Sequence, residues 1–543
     1  MEWFFSKKST LFIFYIFSYL FYGFLSFSFS VWIFFHGSLV TIFTLFVLIL
    51  DSLIIYNRNK FFNQKTTVYR LILWTLFVVV FHYQEVYQTA LSLDLVIYFF
   101  QHLSLLSSDL FNFLYQWKLI HWVILGIGFY LIVTNHRDET KKNWIILSFS
   151  LILLIILHSG SWVMSDLNLN QNQKKLYSTQ KVKRKFESFS GKPNFVLVFL
   201  EGVPRKHLLK IKSSYIDFSN LQDFHFWIPM PHTSKSLFTW MTGKSQLDHT
   251  RLQLDESVME SNLPKQLEKK HNYFTSMIYT QSIYFEGMDQ FFPKIFQTVW
   301  EKGDLEKRYG GLYPSFSWGM EDRVVLPALK QITNTKKQPL FVMIGLSQTH
   351  SPYFVSKEKV DYFWKSPLDR YMVALEEEVE VLDSIISYWK ENSSRETVLI
   401  LTADHGESFG EEGAHAHNYS LYNQETDVPF LIYFIKSGEL YIPEQGTSTD
   451  FKDTILSLLD GNHNQTEENL KSNFFSSEYK LNLVLKTWNS EIQKSWITDD
   501  KKYVYHSDRD QLLQMDLAEK NRVPITDSIL KRKILNVIYS NIR

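Results

Sequence analysis

Val398–Phe434 reads VLILTADHGESFGEEGAHAHNYSLYNQETDVPFLIYF. Its first four residues, Val398-Leu399-Ile400-Leu401, form a short apolar run of the kind that makes a buried parallel strand. Thr402-Ala403 lead from it into Asp404-His405-Gly406-Glu407. In open α/β sheets ligands bind outside the carboxyl ends of the strands. A carboxylate and an imidazole side by side at such an end, with a glycine next to them for a tight turn, suit a divalent metal. His415 and His417 follow, then a second apolar run from Val428 to Phe434. On the residues alone, a solvated loop that contains three histidines is the other reading.

Outward from this segment the chain keeps one character as far back as Asn194. Short apolar runs bounded by polar turns recur at Phe195–Leu200, Phe274–Tyr279 and Leu340–Leu346. Helical patterns such as Leu263–Lys270 and Asp369–Asn392 lie between them. Strands alternating with helices predict a mostly parallel sheet covered on both faces. Ser495–Thr498 and Tyr503–His506 predict a hairpin around Asp499–Lys502, within a small C-terminal β subdomain.

Before Asn194 the composition changes. The chain has 543 residues, 17% aromatic with 46 Phe, a formal net charge of zero and no Cys. Zero net charge gives no pointer to nucleic acid, and the lack of Cys excludes disulfides, thiolate metal sites and a cysteine nucleophile. Leu11–Phe35 carries no charged residue and is long enough to span a bilayer. Ser38–Tyr56, Leu71–Tyr87, Leu119–Thr134 and Trp144–Met164 are four further candidate spans. Lys7 and Lys8, then Arg58, Lys60, Lys65 and Arg70, then Arg137, Lys141 and Lys142 fall on alternate connections. Short basic loops stay cytoplasmic, so five spans carry everything after Met164 to the outside. Thr89–Trp117 is broken by Asp94, His102 and Asp109 and reads as an amphipathic helix on the outer face; a sixth span is the alternative. The expected organisation is a transmembrane domain over 1–164 with that amphipathic segment at 89–117, a basic linker over 165–193, and a catalytic domain over 194–543.

Two more segments of the soluble part carry chemistry. Glu201 closes the strand Asn194–Leu200 and places a second carboxylate at a strand tip, although an exposed Glu at a strand end is common. Thr233-Ser234 opens an amphipathic run ending at Met241-Thr242-Gly243. A hydroxyl in the first turn of a helix sits among free N–H groups, where a phosphate also binds. A metal on that hydroxyl would make it a nucleophile; an N-cap is the plainer role.

Asp404-His405-Gly406-Glu407 resembles the metal-binding turn of the alkaline phosphatase/sulfatase superfamily. The closer likeness is to its membrane-bound branch: lipoteichoic acid synthases, phosphoglycerol transferases and phosphoethanolamine transferases. In that branch a metal-binding Glu closes the first strand, the place of Glu201. Sulfatases carry their nucleophile ten residues before the Gly of an L-T-G turn, and counting back from Gly243 gives Thr233. The transferases use Thr there, often as Thr-Ser. The sulfatase Pro and Arg are missing, with Lys235 offering a positive charge, and the Thr makes a sulfate ester substrate unexpected. Thr349-His350-Ser351-Pro352-Tyr353 and the preceding Trp318-Gly319-Met320-Glu321-Asp322 are similar to the lipoteichoic acid synthase branch, where the His contacts the substrate phosphate. Phosphoethanolamine transferases have a His where His417 stands, thirteen residues after Asp404. His415 has no counterpart and is expected at the surface. Met515–Asn521 echoes the turn that ends sulfatases. The likeness runs from Asn194 to Asn521 and takes in the five-span layout.

The resemblance therefore implies an extracytoplasmic, sulfatase-like enzyme anchored in the cell membrane by several spans. One Mn²⁺ or Zn²⁺ is expected on Glu201, Thr233, Asp404 and His405, a second metal near His350 and His417 being left open. Thr233 is the expected nucleophile and His350, His417 and Trp318 the expected substrate contacts, though a packed core Trp is an equal reading of Trp318. The expected partners are a membrane phospholipid as donor and an envelope glycan or lipid as acceptor of its phospho-headgroup, with no nucleic acid. Hydrolysis with water as acceptor and a non-catalytic membrane sensor are the other two classes.

Overall fold

The computed structural model describes residues 182–542 apart from 248–250, 317, 335, 352, 356–366, 462–469 and 489–492, together with residues 75, 122, 125 and 126. Apart from residues 75, 122, 125 and 126, which are helical, the five expected spans and the amphipathic segment 89–117 lie outside the described residues. Among the described residues no helix is long and apolar enough to cross a membrane.

The predicted α/β architecture is present. Eight strands form the main sheet: β1 (Val182–Lys183), β2 (Asn194–Leu200), β3 (Phe274–Tyr279), β4 (Thr298–Trp300), β5 (Leu340–Gly345), β6 (Thr397–Ala403), β7 (Phe430–Phe434) and β8 (Leu440–Tyr441). Their order across the sheet is β1-β8-β7-β6-β2-β5-β3-β4. The five strands from β6 to β4 run parallel, while β7 pairs antiparallel with both β6 and β8. β2 and β6 are apolar along their whole length because they lie mid-sheet with both faces covered; every residue of each is buried. Each large apolar side chain so buried contributes about 1.5–3 kcal/mol.

Helices α1 (Thr233–Thr242), α2 (Leu263–His271), α3 (Pro367–Asn392) and α4 (Ser448–Asp460) lie between or after these strands. α1 packs on α4, and all ten of its residues are buried. Gly243 ends α1 with φ 74°, and its N–H donates to Thr239 O at 2.8 Å, a left-handed cap that glycine adopts without cost.

The C-terminal subdomain is an antiparallel sheet of β9 (Asn482–Lys486), β10 (Gln493–Thr498), β11 (Lys502–His506), β12 (Gln511–Met515) and β13 (Val523–Pro524) in sequential order. Its second hairpin is the one expected around Asp499–Lys502. Helix α5 (Ser528–Ile542) lays Ile534, Ile538 and Ile542 against it.

The soluble domain begins earlier than expected. Within the segment read as a linker, β1 pairs parallel with β8, and Phe186 and Phe189 are buried in the main core. Two basic residues there pair with the domain: Lys183 with Glu439, and Arg184 with Glu444 at 3.9 Å and over the Phe224 ring at 4.8 Å. A two-residue strand has no periodicity of its own and is visible only through its partner.

Candidate active site

The site is built where the central strands end. Leu200 of β2 lies opposite Ala403 of β6, so the next residues, Glu201 and Asp404, emerge side by side. β5, on the other flank of β2, delivers Thr349 and His350 by the same logic. α1 brings Thr233 to this edge as its first residue. His232 holds the N-cap position, with no side-chain cap bond, so neither Thr233 nor Ser234 serves as the cap.

Thr233 Oγ1 lies 3.3 Å from Glu201 Oε1 and 3.1 Å from His405 Nε2. His405 Nε2 is also 3.4 Å from Glu201 Oε1 and 3.3 Å from Asp404 Oδ2. The ring's other nitrogen, Nδ1, is 3.0 Å from Gly406 O, and since a carbonyl only accepts, Nδ1 carries hydrogen there. Asp404 Oδ1 accepts from Gly202 N at 3.1 Å and His405 N at 2.8 Å, whereas its buried Oδ2 has no hydrogen-bond partner. Glu201 is steadied by Gln281 Nε2, which donates to Oε2 at 2.8 Å.

Burial and the neighbouring Glu201 push Asp404 up to about 6. Burial opposes a charge on His405, but Asp404 and Glu201 outweigh it and lift the imidazole to about 10. Ligand atoms of Glu201, Asp404 and His405 lie within 4.8 Å of one another. Two buried carboxylates, an imidazole nitrogen turned toward them and an orphaned carboxylate oxygen fit a divalent cation, which would balance this charge. Thr233 Oγ1 adjoins the same donor set.

A second group of donor atoms, from His405, Glu407 and His417, meets the same closeness. His417 Nδ1 is 2.7 Å from Glu407 Oε2, and Tyr353 OH donates to Glu407 Oε1 at 3.2 Å. Burial raises Glu407 to about 7. The His417 ring lies over His405 with centroids 4.1 Å apart, and His350 is 6.0 Å from His417. Trp318, partly buried, tilts against His350 at 4.8 Å. All seven residues singled out from the sequence thus meet around one point. His415 is exposed at the rim.

Several residues here had been given no role from the sequence. Glu407 stood in the quoted turn without a role, and Gln281 is eighty residues from its partner. Asp322, in the segment read for Trp318, accepts from Thr280 Oγ1 at 2.7 Å, Ser347 N at 2.9 Å and Gln348 N at 3.0 Å, tying the ends of β3 and β5 together. Glu378 of α3 accepts from Thr349 N at 2.9 Å and Oγ1 at 2.7 Å, and the Thr349 hydroxyl also reaches Glu201 O. Ser236 donates to the Asp404 carbonyl. The Ser234 hydroxyl is engaged elsewhere, donating to Glu286 Oε2 at 2.5 Å.

The sulfatase family model matches residues 193–461. No curated protein matches the chain. Among solved structures, a protein in the alkaline phosphatase superfamily from Vibrio parahaemolyticus is 17% identical over 66% of this chain and 90% of its own, with a TM-score of 0.47. The lipoteichoic acid synthase LtaP from Listeria monocytogenes is 15% identical over 67% of this chain and 94% of its own, with a TM-score of 0.47. The integral membrane lipooligosaccharide phosphoethanolamine transferase A from Neisseria meningitidis is 13% identical over 81% of this chain and 91% of its own, again at 0.47. Residues 193–461 of this chain are a sulfatase-family domain.

Proposed function

We propose that this protein is a membrane-anchored phosphotransferase that moves a phospho-headgroup, phosphoglycerol or phosphoethanolamine, from a membrane phospholipid to an envelope glycan or lipid. The observation that carries the reading is the place of Thr233 Oγ1, at the first turn of α1 and beside both Glu201 and His405. A hydroxyl there adjoins both a metal-fitting donor set and the N–H groups that favour an anion. A formylglycine-type sulfatase nucleophile needs Cys or Ser at this position, and Thr supplies neither.

Glu201, Asp404 and His405 would hold one divalent metal, Mn²⁺ or Zn²⁺, with Thr233; the group of His405, Glu407 and His417, near His350, could hold a second. Such a metal would supply Lewis acidity and would lower the pKa of the Thr233 hydroxyl. Thr233 Oγ1 attacks the phosphorus of the donor. A new Oγ1–P bond forms, the P–O bond to diacylglycerol breaks, and the departing oxygen takes up a proton to balance the one Thr233 gives up. The headgroup phosphate is left on Thr233 as a diester. An acceptor hydroxyl then attacks the same phosphorus and Thr233 recovers its proton, two displacements of the ping-pong kind. His350 and His417 hold the phosphoryl oxygens, and Trp318 lines the headgroup side.

The apolar stretches before residue 165 and their alternating basic connections support several spans and an extracytoplasmic catalytic domain. Single Cys residues placed in this Cys-free chain test the topology with an impermeant maleimide on intact cells. Labelling at Lys65→Cys but not in the soluble domain refutes it.

The reaction is tested with phospholipid labelled in its headgroup. Label transferred to an acceptor, and a headgroup phosphate found by mass spectrometry on the peptide holding Thr233, are the expected results. Label released only as free headgroup phosphate makes the enzyme a hydrolase, and turnover without any adduct removes Thr233 as nucleophile.

A further inference from the structure

Thr233 is flanked by two residues that are gripped by a single carboxylate. Glu286 Oε2 accepts from Ser234 Oγ at 2.5 Å and lies 2.9 Å from His232 Nε2. Glu286 is buried, and it stands on a loop 52 residues along the chain from Ser234. The other nitrogen of His232 is held as well: Nδ1 lies 2.8 Å from Asn418 Oδ1, next in sequence to His417. The His232 ring stacks on Trp488 with centroids 4.5 Å apart.

Two features separate this arrangement from ordinary packing. Glu286 sits at φ 46° and Asn418 at φ 84°, both in the left-handed region. Asn enters that region readily and Glu does not. Strain of this kind persists where the surroundings over-determine it, and it gathers at functional sites. In addition, the contacts converge on the positions before and after Thr233, one of which is the N-cap that sets where α1 begins. Side chains one residue apart on a helix diverge by about 100°. Holding Ser234 against Glu286 therefore turns Thr233 to another side, where Glu201 and His405 are.

We infer that Glu286 is the positioning residue of the nucleophile: through His232 and Ser234 it fixes the first turn of α1 so that Thr233 faces the metal-fitting carboxylate and imidazole. It also keeps the Ser234 hydroxyl out of that role. The hydrogen bonds of Glu286 go to Ser234 and His232 and not to Glu201, Asp404 or His405. This inference rests on Thr233 being the nucleophile.

The test uses the full-length protein in detergent or vesicles, with headgroup-labelled phospholipid as donor. Glu286→Ala should lower kcat and the rate of adduct formation on Thr233 about 10- to 100-fold, the scale of a small misplacement of a reacting group. KM for the lipid should stay within about twofold, since no substrate contact is lost. Bound metal should stay at the wild-type level. Glu286→Gln keeps an acceptor for Ser234 and should hold kcat within about fivefold of wild type. A raised KM with kcat unchanged would make Glu286 a substrate contact and overturn the inference, as would wild-type kinetics in Glu286→Ala or loss of bound metal from it. Should Glu286→Ala fail to fold, the double variant His232→Phe with Ser234→Ala releases the same clamp from the other side. It must show the same fall in kcat at constant KM, and wild-type kcat in it overturns the inference. Thr233→Ala, run alongside, separates the two claims. If it stays active, the nucleophile reading has failed; if it is dead and Glu286→Ala is normal, only the positioning role has failed.

Discussion

Thr233 Oγ1 lies 3.1 Å from His405 Nε2, across the gap between the start of α1 and the end of β6. The neighbouring Ser234 hydroxyl donates to Glu286 instead. Two adjacent hydroxyls are thus given opposite surroundings. Thr233→Ala should lose more than about a thousandfold in turnover, as removal of a nucleophile does, whereas Ser234→Ala should lose less than about tenfold. Thr233→Ser should keep measurable activity because the hydroxyl survives. Steady-state kinetics with labelled lipid measure all three, and a Ser234→Ala variant as dead as Thr233→Ala would exchange their roles.

Asp404 makes a prediction about stability as well as activity. Its buried Oδ2 has no hydrogen-bond partner, and burial together with Glu201 raises its carboxyl to about 6. Removing the side chain relieves that repulsion but also takes the acceptor from the Gly202 and His405 N–H groups, so the test is the response of each protein's Tm to metal, not the metal-free Tm values. A ligand that binds only the folded state stabilises it by about 2.7 kcal/mol at one hundred times its Kd. Added Mn²⁺ or Zn²⁺ should therefore raise the Tm of the wild type by several degrees and leave the variant unmoved. Thermal unfolding with and without each ion measures this; a variant that still responds would remove Asp404 from the ligand set.

What could be read from the sequence follows from how far each signal reaches along the chain. Apolar runs located β2, β3, β5 and β6, because strands buried on both faces are hydrophobic without interruption. Glu201 and Asp404 were legible because each directly follows such a run, and adjacent strands then align them. Thr233 needed a spacing to Gly243, and that spacing corresponds to α1 and its left-handed cap. Glu286 and Gln281 carried no such signal, and Asp322 stood in a quoted motif without a role. Each is a single polar residue whose partner lies far along the chain, as Gln281 does from Glu201, and only the folded register brings them together. Val182–Lys183 was hidden for a related reason, being too short to show alternation. The transmembrane reading stands on composition and loop charge alone.

Gly406 shows a residue whose role was read correctly in kind but for the wrong cause. A tight turn was the expected reason for glycine after Asp404-His405. Its backbone does not enter the left-handed region. The constraint is close approach: a Cβ there would meet Gln424 O at 2.1 Å, and Gly406 N donates to Glu425 O at 2.9 Å in the same contact. Backbone cannot yield as a side chain does, so Gly406→Ala should cost about 1–3 kcal/mol. It should also weaken metal binding by displacing His405. Urea unfolding midpoints and bound-metal measurements check both effects, and a variant as stable as wild type would mean that the 423–426 segment moves freely.

His506 sets a prediction for acid stability, away from the site. It is buried at the end of β11 with Tyr422 OH 3.2 Å from its Nε2. Burial, with the charges of Arg509 and Arg522, pushes its pKa down to about 3. Burial also raises the Tyr422 phenol to about 12, so the phenol keeps its proton and donates it to a neutral imidazole. The unfolded chain binds a proton at His506 below about 6.5, whereas the folded chain does so only near 3. Folding therefore favours the neutral ring. The stability this supplies is whole above about 6.5 and is lost as pH falls toward 3. Over that window the loss should be about 1–3 kcal/mol. His506→Gln cannot take up that proton, and its amide can still pair with Tyr422. The variant should lose less stability than wild type between pH 6.5 and 4, with little difference in slope above pH 7. Urea midpoints at each pH measure it, and parallel slopes across the acid range would show that His506 titrates alike in the folded and unfolded chain.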